Sequence, residues 1–121
     1  MKDPKYGYFL PSETMCKCGC KWDIQDSWRT KLNEIREAYG KPISASNYAR
    51  CKAHNVAVGG AKRSAHIDGV AADLVYDKEL AAFIEANLER FNIWMEHPSV
   101  TYPNRIHIDG RLRVGGRKFF P

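Results

Sequence analysis

The segment RSAHIDGVAAD, residues 63–73, places a histidine and an aspartate, His66 and Asp73, seven positions apart. Its continuation, GVAADLVY, is typical of a strand that carries Ala71 and Asp73. The glycine and alanines before Asp73 leave room for other groups to approach the backbone closely. We therefore expect a loop that holds His66 and leads directly into the strand of Asp73.

A second segment, RIHIDGR, begins at Arg105 and again combines a histidine with an aspartate. Arg105, His107 and Asp109 alternate with two isoleucines, which is the pattern of a half-buried strand. Side chains two residues apart share one face of a strand. The pattern therefore predicts three polar side chains at the edge of a pocket, with the isoleucines in the core.

Helical periodicity is found in two other parts of the chain. The first predicted helix has Asp23 or Asp26 as its N-cap and ends at Gly40, and the second begins at the cap Asp77 and ends near Asn92. The apolar positions of the first helix are Ile24, Trp28, Leu32 and Ile35. Those of the second are Leu80, Phe83, Ile84, Leu88 and Phe91.

The remaining segments predict short strands joined by loops. Strands are expected around residues 43–46 and in NIWME and RIHID, with a long loop organised by Gly59 and Gly60 and a turn in the region of Pro98 and Pro103. The predicted fold class is α+β, with a small antiparallel sheet flanked by helices. The chain has no internal repeat and no linker.

Length and composition indicate one globular domain, residues 1–121, because 44% of the residues are hydrophobic and 27% are charged. No apolar run is long enough to cross a membrane, so we expect no membrane insertion. The amino terminus, MKDPKYGYFLPSE, lacks the apolar region of a secretory signal peptide, which predicts synthesis in the cytoplasm.

The formal net charge is +5. Such a surplus favours polyanionic surroundings such as nucleic acid, phospholipid headgroups or an anionic cell wall, although a solvated basic face is the more common explanation. No nucleic-acid-binding motif accompanies the charge, so we expect no nucleic acid as partner.

Four cysteines are present, three of them in MCKCGCKW: Cys16, Cys18, Cys20 and the distant Cys51. Thiols two residues apart do not suit a disulfide framework. Clustered thiolates can hold a structural zinc with Cys51 as fourth ligand, although CxCxC is not one of the usual zinc-finger spacings. Free or partly paired cysteines are the alternative.

Two imidazoles and one carboxylate are a sufficient ligand set for a catalytic zinc, which takes three protein ligands and leaves a position open. Zinc in such a site makes hydroxide available near neutral pH and polarises a carbonyl group. Each histidine taken singly is more often a structural side chain. The spacing between His66 and Asp73 alone therefore leaves both interpretations open.

The run ISASNYARCKAHNVAVGGAKRSAHIDGVAAD resembles the signature of the M15 metallopeptidases, a family of zinc D-alanyl-D-alanine carboxypeptidases and endolysins. The later strand RIHID is similar to the family's second ligand segment. The resemblance implies a zinc site on the sheet, as in DD-peptidases and hedgehog domains, with His66, Asp73 and His107 as ligands. It also implies that Ser64 steadies the site and that Arg50 binds a substrate carboxylate.

The chain departs from this family at one catalytic position. Many relatives carry a carboxylate three residues before the last histidine, where this chain has Asn104. Glu96 is then the first candidate for the acid–base group, because part of the family carries a glutamate upstream of the last histidine. Asp109 is the second candidate, and an orienting role for it is the alternative. Arg105 is expected to stabilise the oxyanion.

The resemblance implies a monomeric zinc peptidase that cleaves peptidoglycan stem peptides, of D-Ala-D-Ala carboxypeptidase or L-Ala-D-Glu endopeptidase type. A short, cationic chain of this kind fits a phage lysin that is released by a holin or carried in a virion. The alternative is a zinc-containing cell-wall binding module of the same fold with weak catalysis. Asn104 is the feature that favours the alternative.

Overall fold

The two segments that carry the predicted ligands form neighbouring strands at the centre of one sheet, β2 (Ala71–Val75) and β4 (Arg105–Asp109). The structure is a computed structural model that describes residues 2–60, 64–97 and 103–120. Asp73 lies directly opposite His107 in the antiparallel pairing of these strands. Two of the predicted ligands are therefore cross-strand neighbours.

The described sheet has five strands in the order β1-β2-β4-β3-β5. Strand β1 (Ala45–Asn47) lies at one edge, next to β2. On the other side of β4 lies β3 (Trp94–Glu96), and β5 (Lys118–Phe119) forms the second edge. Three of the pairings are antiparallel, while β3 and β5 run parallel. The sheet is therefore mixed and open, and helices flank it, which confirms the predicted α+β class.

The helices of the described part are α1 (Pro11–Thr14), α2 (Asp26–Tyr39), α3 (Lys52–Ala57), α4 (Lys78–Ala86) and α5 (Leu88–Phe91). The sequence predicted α2, and Gly40 ends it in the left-handed conformation (φ 78°) that glycine adopts without strain. The predicted N-cap was wrong, because Gln25 is the cap. Asp23 instead pairs with Arg29, with 2.7 Å between Nη2 and Oδ2.

The second predicted helix is two helices in the structure, because the helical backbone is interrupted at Asn87 between α4 and α5. Asp77 caps α4 as predicted, since its side chain accepts a hydrogen bond from the backbone N–H of Glu79. Asn92 ends α5 in the left-handed conformation (φ 54°).

Three elements were not predicted: the one-turn helix α1, the helix α3 and the strand β5. The expected long loop contains α3, whose short sequence KAHNVA has no apolar stripe, and the two-residue β5 is too short for a periodic signal. The strand expected at 43–46 is β1, shifted toward Asn47. Residues 98–102 of the predicted turn lie outside the described residues.

The core lies between the sheet and the helices α2, α4 and α5. Ile106 and Ile108 are buried, as the alternation in β4 predicted, and they pack with apolar residues of the helices. The helical members of this cluster include Trp28, Leu32, Ile35, Leu80, Ile84, Leu88 and Phe91. Among the described residues, no helix has the length and apolar character needed to span a bilayer.

Replacing Ile108 by alanine should lower the free energy of unfolding by about 2–5 kcal/mol, because the side chain is 0% exposed and its removal leaves a cavity. Leu112→Ala is the matched control: Leu112 is 82% exposed, and its variant should stay within about 0.5 kcal/mol of the wild type. Urea unfolding followed by circular dichroism measures both, and equal midpoints for the two variants would contradict this packing.

Candidate metal centre

Asp73 lies at the centre of a group of three side chains that can share one metal ion. Its Oδ1 is 2.8 Å from Nδ1 of His107, and its Oδ2 is 3.2 Å from Nε2 of His66. One ligand atom from each of these residues lies within 4.8 Å of the others. Ligands 2.0–2.1 Å from a tetrahedral zinc are separated by about 3.3 Å, so the group is close to the size that zinc needs.

His66 reaches this group from the loop before β2. Its Nδ1–H donates a hydrogen bond to the carbonyl of Tyr48, so Nε2 carries the lone pair. That Nε2 is buried and has no hydrogen-bond partner among the described residues, despite its proximity to Asp73. A buried nitrogen lone pair aimed at a carboxylate is costly unless a cation lies between them, so the donor set fits a metal.

His107 is held from the opposite side by Asp109. Nε2 of His107 lies 2.9 Å from Oδ2 of Asp109, and a proton on Nε2 leaves Nδ1 for the metal beside Asp73. Asp109 is fully buried and also accepts hydrogen bonds from Arg113 and from the backbone N–H of Arg111. These contacts favour the orienting role that was the alternative for Asp109.

The strand register brings Glu96 to the same row of the sheet. Trp94 pairs with Asp109 and Met95 with Ile108, and continuing this register by one residue places Glu96 opposite His107. Cross-strand partners share one face of a sheet, with Cβ atoms about 4.5–5.5 Å apart. Asp73, His107 and Glu96 therefore form one row across three strands.

Arg105 joins the two ends of that row. Its Nη1 lies 3.3 Å from Oδ2 of Asp73, and its Nη2 lies 3.0 Å from Oε2 of Glu96. Glu96 is buried, and its other oxygen, Oε1, has no hydrogen-bond partner among the described residues. A cavity of about 270 Å³ adjoins this ion pair and is lined in part by Glu96 and Arg105.

Arg50 and Ser64 both form hydrogen bonds with the backbone of His66. Arg50 N–H donates to the carbonyl of His66 at 3.0 Å, while its guanidinium donates to Oδ1 of Asn55 at 2.8 Å. Ser64 Oγ accepts a hydrogen bond from the backbone N–H of His66 at 3.2 Å. Ser64 thus supports the loop backbone of His66.

The four cysteines meet at a separate place, where Cys51 forms the N-cap of α3. All four are free, so the alternative of partly paired cysteines is not the state of this structure. Asn104 lies in an exposed turn before β4, where its carbonyl accepts from the backbone N–H of Tyr76.

Sequence reasoning missed three groups at the metal centre. The carbonyl of Tyr48 fixes the His66 ring, Arg113 binds Asp109, and the ring of Phe119 lies 6.0 Å from that of His107 at 89°. A backbone carbonyl has no sequence signature, and Phe119 belongs to the unpredicted β5. The basic residues after RIHID were a visible signal for Arg113, but they indicated only a charged surface.

The electrostatics of the group are dominated by burial and by its mutual hydrogen bonds. Burial raises the pKa of Asp73, but the opposing effects, led by the hydrogen bond from His107, outweigh it and lower the pKa far below its usual range. Burial lowers the pKa of His107, yet its bonds to Asp109 and Asp73 raise it to about 9. The pKa of Asp109 is lowered because His107 and Arg113 outweigh its burial.

The Peptidase M15 family model matches residues 7–109 of the chain. This range includes His66, Asp73, His107 and their strands, and it covers well over half of the sequence. The chain therefore belongs to the Peptidase M15 family, whose members are zinc-dependent peptidases. No curated protein sequence matches the chain. The family predicted from the sequence is confirmed, while the match does not distinguish carboxypeptidases from endolysins.

Zinc affinity at the histidine site should rise with pH up to about 9. Because the pKa of His107 is about 9 in the metal-free protein, zinc must displace a proton at any lower pH. One displaced proton changes the affinity by about tenfold per pH unit. Competition with a chelator, monitored through the imidazole ¹⁵N resonances of His66 and His107, measures how the zinc affinity changes with pH. A pH-independent affinity between pH 6 and 8 would contradict it.

Asp109→Asn should weaken zinc binding at the histidine site by about 10–100-fold, because His107 loses the carboxylate that orients its ring. The matched control is Asp68→Asn, since the Asp68 carboxylate is exposed and pairs with Arg111 rather than with an imidazole. The same chelator competition applies, and equal affinities for the two variants would show that Asp109 does not orient His107.

Proposed function

We propose that this M15 peptidase uses one zinc ion to hydrolyse a peptide bond in peptidoglycan stem peptides. The observation that carries the proposal is the convergence of His66, Asp73 and His107, with a buried Nε2 of His66 that faces Asp73 and has no hydrogen-bond partner among the described residues. The bond is D-Ala-D-Ala for a carboxypeptidase or L-Ala-D-Glu for an endopeptidase. The net charge of +5 suits an anionic cell wall.

The ligand atoms would be Nε2 of His66, a carboxylate oxygen of Asp73 and Nδ1 of His107. When bound, zinc acts as a Lewis acid that polarises a carbonyl oxygen and activates water as a nucleophile near neutral pH. Tyr48 and Asp109 hold the two imidazoles in the tautomers that present these nitrogens. The protein thus keeps the ligand set in place before any substrate binds.

Glu96 is proposed as the group that moves the proton. Arg105 holds Oε2 of Glu96, which leaves Oε1 to take the proton of the attacking water. As the oxygen of that water forms its bond to the carbonyl carbon, the carbonyl π electrons move to oxygen. When the C–N bond then breaks, Glu96 gives the proton to the leaving amine.

Two arginines are proposed to bind the substrate. Arg105 carries a guanidinium that is 26% exposed beside Asp73 and Glu96, where it can stabilise the negative oxygen of the tetrahedral intermediate. Arg50 is half-buried next to the backbone of His66, and its planar guanidinium suits a substrate carboxylate. Asn55 orients Arg50 by accepting one of its hydrogen bonds.

Gly60 supports the Arg50 position by close packing. A Cβ atom built at Gly60 would lie 2.5 Å from Nη1 of Arg50 and 2.1 Å from Oδ1 of Asn55. Only glycine leaves space for this pair. The VGG element of the sequence is thereby linked to the proposed carboxylate-binding side chain.

A phage-lysin role, with holin-type release or transport in a virion, is part of the same proposal. A monomer would suffice for it, because all three proposed ligands come from one chain.

Glu96→Gln should lower kcat by about 10²–10⁴-fold while zinc binding is retained, because the amide cannot accept a proton from water. Glu37→Gln is the control, since Glu37 is exposed and pairs with Lys2 far along the chain from the metal ligands. The assay follows D-alanine release and new amino groups from purified sacculi. Unchanged kcat in Glu96→Gln would remove Glu96 from the mechanism.

The same assay separates the proposed peptidase from a binding module. Zinc-loaded protein that sediments with sacculi but releases neither D-alanine nor new amino groups would support the weakly catalytic cell-wall module. The peptidase should lose activity on chelation and regain it when zinc is added back.

A further inference from the structure

Four thiols from two distant chain segments converge in this protein. Sγ of Cys16 lies 3.4 Å from Sγ of Cys18 and 3.7 Å from Sγ of Cys51, and Cys18 and Cys51 are 3.5 Å apart. Cys20 completes the group, with its sulfur within 4.8 Å of the other three. Cys51 lies 31 residues beyond Cys20, which is about 100 Å along a fully extended chain, so folding brings it to the other three thiols.

These distances agree with metal coordination and differ from those of disulfides. A disulfide has an S–S distance of about 2.05 Å, whereas four thiolates at 2.3 Å from a tetrahedral zinc lie about 3.8 Å apart. The observed separations of 3.4–3.7 Å are close to that second value. We propose that Cys16, Cys18, Cys20 and Cys51 bind a structural zinc ion, distinct from the one held by the histidines.

The backbone around the thiols is arranged to support thiolates. The N–H of Cys51 donates to Sγ of Cys16, and the N–H of His54 donates to Sγ of Cys51, both at 3.4 Å. Hydrogen bonds from backbone amides favour the charged form of a sulfur ligand. The capping of α3 by a thiol is therefore part of the same site.

The CKCGCKW segment is folded tightly so that alternate residues face one point. Gly19 has a φ of 85° and Lys21 a φ of 66°, and the N–H of Cys16 donates to the carbonyl of Trp22 at 2.6 Å. Left-handed backbone at a lysine costs free energy and persists where its surroundings fix it. Four thiolate bonds to one metal ion would supply such a constraint in a segment whose side chains are mostly exposed.

The thiol site is connected to the histidine site through residues 48–51. The carbonyl of Tyr48 accepts from the His66 ring, the N–H of Arg50 donates to the His66 carbonyl, and the next residue is the ligand Cys51. Ala49 N–H donates to the carbonyl of Thr14, two residues before Cys16. The structural zinc thus fixes the segment that orients His66, and this positioning role rests on the proposed function.

Metal content tests the site directly. The wild type purified under reducing conditions should hold about two zinc ions per chain, while His66→Ala/His107→Ala and Cys18→Ser/Cys20→Ser should each hold about one. Cys20→His is the conservative control, because Cys₃His is an ordinary zinc ligand set, and it should retain about two zinc ions. Cys18 and Cys20 are exposed, so their replacement leaves the core intact.

Cobalt substitution gives a readout that does not depend on activity. Co²⁺-loaded wild type should show thiolate-to-cobalt charge-transfer absorption, and this absorption should persist in His66→Ala/His107→Ala. Wild type without such absorption, or with a single zinc that disappears with the histidines, would overturn the thiol site. A peptidase-inactive protein that keeps the absorption would overturn only the proposed function.

The positioning role has its own readout. In Cys18→Ser/Cys20→Ser, zinc affinity at the histidine site should fall by about 10–100-fold, as for loss of other groups that orient metal ligands. Imidazole ¹⁵N resonances of His66 measure this affinity as above. An unchanged affinity would show that the thiol zinc does not position His66.

Discussion

The antiparallel register between β2 and β4 is the constraint on which the metal centre depends. It places Asp73 opposite His107, and a slip of one residue would turn His107 to the other face of the sheet. Ile106 and Ile108 hold this register, because they are buried against the helices on the opposite face. Alternate residues of the five-residue strand β4 thus supply part of the apolar core on one face and the proposed ligand His107 on the other.

Charge balance is the second requirement of this arrangement. Asp73, Asp109 and Glu96 are all buried, and burial of an unpaired carboxylate is very unfavourable. Arg105 pairs with Asp73 and Glu96, and Arg113 pairs with Asp109. His107 binds two of the carboxylates at once, which explains its raised pKa. A divalent cation in the same place would replace the positive charge of that proton.

The sequence predicted the parts of the fold and site that depend on local patterns. Alternation identified β4 and the faces of Arg105, His107 and Asp109, and capping identified the start of α4 at Asp77. The prediction that His66 meets Asp73 and His107 came from the family resemblance, because the path of a loop leaves no periodic pattern in the sequence. The N-cap of α2 was wrong because Asp23 binds Arg29 and Thr14, which are contacts between distant elements.

Strand pairing is the basis for proposing Glu96, in place of a group at position 104, as the catalytic carboxylate. Asn104 lies in the turn that leads into β4. Glu96 lies on β3, and the β3–β4 pairing, continued by one residue, places it opposite His107. Periodicity cannot reveal this relation, because it describes one strand at a time. A carboxylate on the neighbouring strand reaches the same row through cross-strand packing, with no change in the ligand strands. Asn104 is therefore compatible with the proposed hydrolysis, because Arg105 binds both Asp73 and Glu96 and so links the proposed proton carrier to the ligand row.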